Sequence, residues 1–459
     1  MRIETKEELI RRLFSGKDTP NSSLIRDVLR IPNYELTDSA KLDEIIRRTE
    51  ENSPRLSLFS EFLGCNVLDQ SINTKVFSKY KKGIVSIAAD KIIKEKFDIE
   101  QKMWFGYNDD LRPVSMEEIQ TDLDKSTETL IKGYYFLKDK KTEKQYIFGI
   151  DFLSDFMTGY IAMYSGNGET DITSNIMKEI VSWAKNNNFL KGKKINAMGK
   201  FLNVDRITMD DVILKDEIKR RIISGTVDMI KNMEVYRKNN LPIKRGILME
   251  GEPGTGKTLV SKALCNQMDC TFIWVTADDI RYPEHVSYIY QMARELSPSI
   301  VLFEDIDYIG KSRESYRDSS FDKITGELLN QMDGIESNEG IITLASSNYP
   351  ELLDKALRNR PGRFDIRVKF DLPDEDQREK MLTKFIGNIS ISDIKMKDMV
   401  NMTKGYTGAY IKELITATIM LAVSDKSVDT ENNAIVKNKH LIEAFSEIEK
   451  SRELDNEKE

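Results

Sequence analysis

The chain holds only three cysteines (Cys65, Cys265, Cys270) and two histidines (His285, His440) in 459 residues. That is too few for a disulfide framework, and no cluster among them has the spacing of a zinc site. No apolar stretch reaches the roughly 20 residues that cross a bilayer. The start, Met1-Arg2-Ile3-Glu4-Thr5-Lys6, has no long apolar run behind it, which argues against a cleaved secretory leader. The cytoplasm is the expected address. Basic excess is missing too: 69 Lys and Arg stand against 76 Asp and Glu, a net charge of −7. Broad nucleic-acid binding is therefore not indicated, and only a locally basic channel would allow it. The sequence shows no internal repeat and no low-complexity tract.

What is present suffices for packed cores: 40% of residues are hydrophobic, and the 32% that are charged are mixed in sign. At about 100–200 residues per domain, the length suggests roughly three domains. Residues 1–125 read as mostly helical, with apolar pairs at helix spacing in Glu7 to Phe14 and Leu42 to Ile46. Residues 126–195 read as α+β. Tyr134-Tyr135-Phe136-Leu137 and Tyr146 to Ile150 flank a charged loop as a hairpin, Gly159 to Tyr164 offers a third strand, and Thr173 to Lys185 forms an amphipathic helix. The polar, basic stretch from Asn186 to Lys194 marks a boundary, so 1–195 form an N-terminal domain and 196–209 a linker. Residues 210–372 alternate strand and helix. Gly246 to Glu250, Thr271 to Val275, Ser299 to Phe303, Gly340 to Ala345 and Arg367 to Phe370 are short apolar runs, as in a parallel sheet covered on both faces. Residues 373–459 read as helical only, with Asp374, Ser392 and Thr407 as N-caps and a last helix near Lys439 to Arg452.

Gly251-Glu252-Pro253-Gly254-Thr255-Gly256-Lys257-Thr258, followed by Leu259, fits G-x-x-x-x-G-K-[ST] between a strand and a helix. The glycines let backbone N–H groups turn inward around phosphates, Lys257 sets a point charge at the β- and γ-phosphates, and the Thr258 hydroxyl is placed to ligate Mg²⁺. Downstream, the run Ile300 to Phe303 ends in Glu304-Asp305-Ile306-Asp307. Carboxylates there sit at the carboxyl edge of a parallel strand, where open α/β sheets bind ligands. One of them would hold Mg²⁺, and the next would polarise the attacking water.

From about Asp210 onward the chain resembles one AAA+ ATPase module of the AAA-proper subgroup. The resemblance rests on the phosphate loop (Walker A), the acidic strand end (Walker B), Leu328 to Gly334, Ala345-Ser346-Ser347-Asn348, Leu353 to Leu357, Arg360-Pro361-Gly362-Arg363-Phe364-Asp365 and Gly405-Tyr406-Thr407-Gly408-Ala409. It implies a P-loop α/β domain with a helical lid, Mg²⁺-ATP as substrate, and a homo-oligomeric ring of six. Asn348 would be the sensor amide that orients water. Arg360 and Arg363 would be arginine fingers reaching a neighbouring subunit, Asp333-Gly334-Ile335 would report nucleotide state between subunits, and Gly408 and Ala409 would start a lid helix admitting the nucleotide. Asp211, Val212 and Ile213 lie where the family contacts adenine.

Three departures stand out. Glu252 replaces a common proline. The acids run Glu304-Asp305 instead of Asp-Glu, as in some relatives of the mitochondrial respiratory-complex assembly ATPase. Asp278 to Glu284 lacks the aromatic-hydrophobic-glycine pore loop of threading relatives, leaving Tyr282 as the aromatic candidate. The leading expectation is a ring that remodels, unfolds or disassembles protein clients recruited by the N-terminal domain. A nucleic-acid motor or loader is the second, supported only by Lys311, Arg313 and Arg317 after the acidic strand. A slow nucleotide-gated scaffold is the third.

Overall fold

The computed structural model describes residues 47, 53–67, 69–106, 109–153, 158–166, 169–308, 319–333, 337–353, 363–428 and 433–456. The helical patterns at Glu7 to Phe14 and Leu42 to Ile46 lie outside them. Contacts divide the chain into two compact units, Met1–Phe189 and Leu190–Glu459. No helix among the described residues is long and apolar enough to cross a membrane.

The first unit begins with helix α1 (Pro54–Leu63). Ser53 caps it by accepting from Leu56 N–H, Pro54 takes the first turn, and Gly64 ends it at φ 66°. Next come β1 (Ser71–Ser78), α2 (Lys82–Lys96), β2 (Phe97–Phe105), β3 (Leu111–Arg112), β4 (Ser115–Asp122), β5 (Lys125–Asp139), β6 (Gln145–Asp151), β7 (Thr158–Ser165) and α3 (Thr170–Asn186). The strands form one antiparallel sheet in the order β1-β7-β6-β5-β2-β3, with β4 also pairing β5. Side chains alternate between two buried faces. Tyr135, Leu137, Phe148, Ile161 and Met163 meet α2 and α3, while Tyr134, Phe136, Ile147 and Tyr164 meet Phe59 of α1.

The helical expectation for residues 1–125 fails over β1 to β4. β2 carries a register shift between Ile99 and Gln101 that breaks its alternation, and β4 buries only Ile119. Neither presents the clean period of two that identifies a strand.

The second unit opens with β8 (Lys194–Asn196), followed by α4 (Asp216–Gly225), α5 (Val227–Lys231), α6 (Met233–Lys238), β9 (Lys244–Gly251), α7 (Lys257–Gln267), β10 (Thr271–Val275), α8 (Pro283–Glu295), β11 (Ser299–Phe303), α9 (Ser319–Asp333), β12 (Ile341–Ser347) and β13 (Ile366–Phe370). The sheet order is β13-β9-β12-β11-β10-β8, and every pairing is parallel. Thus β8 is the edge strand of this sheet, although the sequence reading gave Lys194 and Ile195 to the N-terminal domain and Asn196 to the linker. The rest of that stretch is packed as well. Val204 and Ile207 lie against the sheet core, and Asn266 Nδ2 donates to the carbonyls of Asp205 and Ile207 at 2.6 and 3.0 Å. Residues 196–209 are part of the second unit.

The chain leaves β9 for β10, passing over β12 and β11, so the strand order reverses beside β9. Ligands of open parallel sheets bind in the crevice at such a point. The carboxyl ends of β9, β12 and β11 lie side by side there, with Leu344 opposite both Ile247 and Leu302.

A helical lid follows: α10 (Glu375–Ile386), β14 (Ser390–Ile391), α11 (Met396–Met402), α12 (Gly408–Ser424), β15 (Ile435–Val436) and α13 (Asn438–Asn456). Asp374 caps α10 in a reciprocal box with Gln377, and Thr407 caps α12 through Tyr410 N–H. Ser392 caps nothing. α11 starts at Met396 behind Lys395, and Ser392 N–H donates to the Val436 carbonyl, tying it to the small β14–β15 sheet.

Phe59 contacts the rings of Phe105, Tyr134, Phe136 and Tyr164 at centroid distances of 5.1–6.1 Å. It fastens α1 to the sheet. Phe59→Ala should cost about 3–5 kcal/mol of unit stability. Hydrogen exchange should show faster amides in Pro54–Leu63 and unchanged protection in β9 to β12.

Candidate nucleotide site at the strand ends

The loop between β9 and α7 depends on glycine. Gly254 and Gly256 have φ of 79° and 106°, a region that side-chain-bearing residues rarely enter. A Cβ on Gly254 would stand 2.7 Å from the Ala409 Cβ and 2.8 Å from Thr407 Oγ1. The Gly254 carbonyl also accepts from Ala409 N–H at 3.1 Å, so the loop touches the start of lid helix α12 directly. Gly408 itself is not crowded: a Cβ there would meet only ordinary contacts at 3.5–3.6 Å. Close packing of the loop against the lid is thus a demand on Gly254, whereas Gly408 and Ala409, expected to start a lid helix admitting the nucleotide, do start α12.

Glu252, Pro253 and Gly254 are exposed, while Thr255 turns inward and donates to the Glu252 carbonyl at 2.8 Å. Lys257 is buried. Its ammonium donates to the carbonyls of Gly251 and Glu252 at 2.5 and 2.9 Å. Desolvation pushes its pKa below the ordinary lysine value, opposed by the charges of Asp305, Asp307 and Glu252. Thr258 and Leu259 occupy the exposed side of the first turn of α7.

Thr258 Oγ1 donates to Glu304 Oε1 at 2.7 Å. The two residues are 46 positions apart, and the fold brings together a hydroxyl and a carboxylate, the hard oxygen donors that Mg²⁺ takes. This donor pair, beside a glycine loop with space at Gly256, fits a Mg²⁺-nucleotide. The other Glu304 oxygen, Oε2, accepts from the Trp274 indole N–H at 2.8 Å, a partner the sequence reading missed.

Asp305 sits at φ 50°, the left-handed region that Asp and Asn enter more readily than other side chains. Its backbone N–H donates to Ser346 Oγ at 2.9 Å, and its Oδ1 accepts from Asn348 Nδ2 at 3.0 Å. Burial, then the charges of Glu304 and Asp307, raises its pKa above the ordinary aspartate value. Asp307 is fully buried and was also missed as a partner. Its Oδ1 accepts from Asn348 N–H at 3.1 Å, and its Oδ2 has no hydrogen-bond partner among the described residues. An acid two positions beyond Asp305 was visible in the sequence, but its bond across to β12 was not.

The other candidate residues fall elsewhere. Arg363 is 6% exposed, and its Nε and Nη2 donate to Asp333 of its own chain at 2.9 and 2.6 Å. In this single chain its guanidinium is thus paired internally, at the position where the resemblance implied a finger. Arg360, Gly334, Ile335, Lys311, Arg313 and Arg317 lie outside the described residues. The Asp211 carboxylate is occupied by Thr208 and by Lys384 of the lid, which holds it well below the usual range. Val212 is buried in the sheet core and Ile213 packs on the lid core. Tyr282 is 63% exposed, stacked edge-on to His285.

Gly254→Ala tests the loop–lid contact. The added methyl must displace Ala409 or Thr407 and adopt positive φ, so nucleotide affinity should drop about five- to 150-fold, the range set by overpacking costs of about 1–3 kcal/mol. Titration with a fluorescent ATP analogue measures this, and circular dichroism should show an unchanged fold.

Residues 247–372 match the family model described as ATPase family associated with various cellular activities (AAA). The chain is 30% identical over 236 residues to an ATP-dependent zinc metalloprotease FtsH of Marinobacter nauticus, covering 49% of this chain and 37% of the relative. An FtsH 1 of Methylacidiphilum infernorum is 35% identical over 231 residues, covering 48% and 36%. A cell division cycle protein 48 homolog of Archaeoglobus fulgidus is 31% identical over 229 residues, covering 48% and 31%. The chain thus spans about a third of the length of these curated relatives. Among the described residues, no group of three His, Cys, Asp or Glu is placed to hold a metal ion such as the zinc in the FtsH names. With its glycine loop, acidic strand end and switch-point crevice, the chain carries an AAA ATPase domain at residues 247–372.

Proposed function

We propose that the chain is a Mg²⁺-dependent ATPase whose subunits form a ring of six and remodel protein clients that the first unit recruits. The observation that carries the ATPase reading is the meeting of Lys257, Thr258, Glu304, Asp305 and Asn348 at three adjacent strand ends. The remodelling reading is supported by relatives whose names describe an ATP-dependent protease and a cell division cycle protein 48 homolog.

In this reading the backbone N–H groups of Gly254 to Lys257 cradle phosphate oxygens, and the Lys257 ammonium exchanges its two carbonyl partners for phosphate. Thr258 and Glu304 hold Mg²⁺, which when bound neutralises charge on the phosphates. Asp305 accepts the proton of the attacking water, its carboxylate set against the Asn348 amide at 3.0 Å. Asn348 orients that water, its own amide being steadied by Asp305 and its backbone by Asp307. Val212 and Ile213 border the adenine end through their backbone, because the Asp211 side chain is spent on Thr208 and Lys384. Arg360 supplies the charge from a neighbouring subunit. Arg363, bound to Asp333, instead fastens the end of α9 to the segment that carries Arg360.

Asp305→Asn should leave ATP bound and lower turnover by about 10²–10⁴-fold, the usual share of a general base. Glu304→Gln should chiefly raise the Mg²⁺ requirement. Phosphate release at varied Mg²⁺ separates the two, and ATP trapped by Glu304→Gln alone would reverse the roles.

Arg360→Ala and Lys257→Ala test the shared site. Each should be nearly inactive alone, and mixed rings should regain activity, because an intact loop on one subunit can meet an intact Arg360 on the next. Mixed assemblies confirmed by native mass measurement that remain inactive would remove the shared-site model.

A further inference from the structure

We infer that Trp274 is a positioning residue that fits this chain's longer Mg²⁺-side acid, Glu304, to the metal. The inference rests on the Mg²⁺-ATP reading of the site. Glu304 stands where the resembled family places an aspartate, so its carboxylate hangs on one more methylene and one more rotatable bond. An unrestrained glutamate would spread over several rotamers, and ordering it for metal binding would cost conformational entropy.

The structure restrains it at three points. Glu304 N–H donates to the Val275 carbonyl at 2.8 Å, which extends the β10–β11 pairing one residue past the strand and holds the Glu304 backbone beside β10. Trp274, the preceding residue on β10, then donates its indole N–H to Oε2 at 2.8 Å, and Thr258 donates to Oε1 at 2.7 Å. The two contacts differ in kind. An indole nitrogen is a donor only and never a metal ligand, whereas the Thr258 hydroxyl can turn its lone pairs to a cation. The indole therefore occupies the oxygen facing away from Thr258 and leaves Oε1 on the side where hydroxyl and metal meet.

The Trp274 ring is itself held. It is half-buried, packed on the sheet core, with the Phe272 ring 6.0 Å away. Outer partners of metal ligands commonly govern metal affinity in this way. An aspartate at 304 would be too short to need the clamp, so the tryptophan and the exchanged acid form a matched pair.

Trp274→Phe keeps the ring and removes the N–H. The affinity of a fluorescent ATP analogue, titrated in EDTA and at graded free Mg²⁺, should shift its half-effect to about tenfold higher Mg²⁺, the lower end of such outer-partner losses. Affinity in EDTA should stay within about twofold. In a Glu304→Asp background, Trp274→Phe should change the Mg²⁺ midpoint by less than about twofold, because the coupling is then gone. An unchanged midpoint in the single variant, an equal loss in EDTA, or the same shift in both backgrounds would overturn the inference.

A second measurement does not depend on that variant folding. With Trp104→Phe and Trp183→Phe, Trp274 becomes the sole tryptophan. Its emission should respond to ATP with Mg²⁺ and stay unchanged with ATP in EDTA. A silent indole, in a chain that still binds the analogue in a Mg²⁺-dependent way, overturns the inference. Failure of the parent chain to bind the analogue, or binding indifferent to Mg²⁺, would instead sink the Mg²⁺-ATP reading.

Discussion

Lys257 is a lysine that the fold takes out of water, and a buried ammonium must be compensated. Here the compensation is weak: two carbonyl oxygens, opposed by the full cost of desolvation, with the charges of Asp305, Asp307 and Glu252 acting on it electrostatically. Much of the second unit follows from this. The carbonyls, of Gly251 and Glu252, open a loop whose Gly254 and Gly256 take positive φ. The carboxylates come from the end of β11, so that strand must lie beside β12 and next but one to β9. The parallel order of the sheet provides this by setting three carboxyl ends on one edge.

The acids divide their tasks by environment more than by chain length. Glu304 is tied through both oxygens, one to a hydroxyl and one to an indole. Asp305 is half-buried, on a strained backbone turn, and touches the amide of Asn348. Asp307 is wholly buried and fixes the backbone at Asn348. Asp305 pairs a pKa raised by burial with a contact to the side-chain amide of Asn348. Exchanging Glu and Asp relative to the family's usual order therefore need not exchange their roles. The backbone of β11 decides which residue faces the loop and which faces β12.

Legibility in the sequence followed how far each feature was local. The runs at Thr271 to Val275 and Ser299 to Phe303 are apolar without a break, because strands covered on both faces need nothing else, and the structure places β10 and β11 on those residues. The glycine spacing of the phosphate loop is likewise local. By contrast, β2 conceals its alternation behind a bulge and β4 behind solvated charge, so both read as helix. Lys194 to Asn196 is too short to show any period, and only its pairing with β10 makes it a strand. Trp274 reads as core from sequence because an indole's apolar body dominates its context. Its hydrogen bond to a residue 30 positions away exists only once β10 and β11 are neighbours. Arg363 is the converse case: its motif pointed outward, yet Asp333 satisfies its guanidinium within the chain.

That last pair bears on how the site would be completed by a second subunit. A buried guanidinium leaves its carboxylate only for a partner of equal strength, because either group alone in a desolvated place is costly. Arg363 is the more buried of the two, with its side chain 7% exposed against 42% for Asp333. Losing the pair would strand the arginine first. Its carbonyl region is pinned as well: a Cβ on Gly246 would stand 1.9 Å from the Arg363 oxygen, so only glycine lets β9 pass that close. Asp365 adds a bond to Gly246 N–H at 3.1 Å and an ion pair with Arg245. The segment after Arg360 is thus fastened to the same strand that begins the phosphate loop. Arg363, Asp365 and Gly246 thus tie the start of β13 to the strand that leads into the glycine loop at Gly251, within one chain.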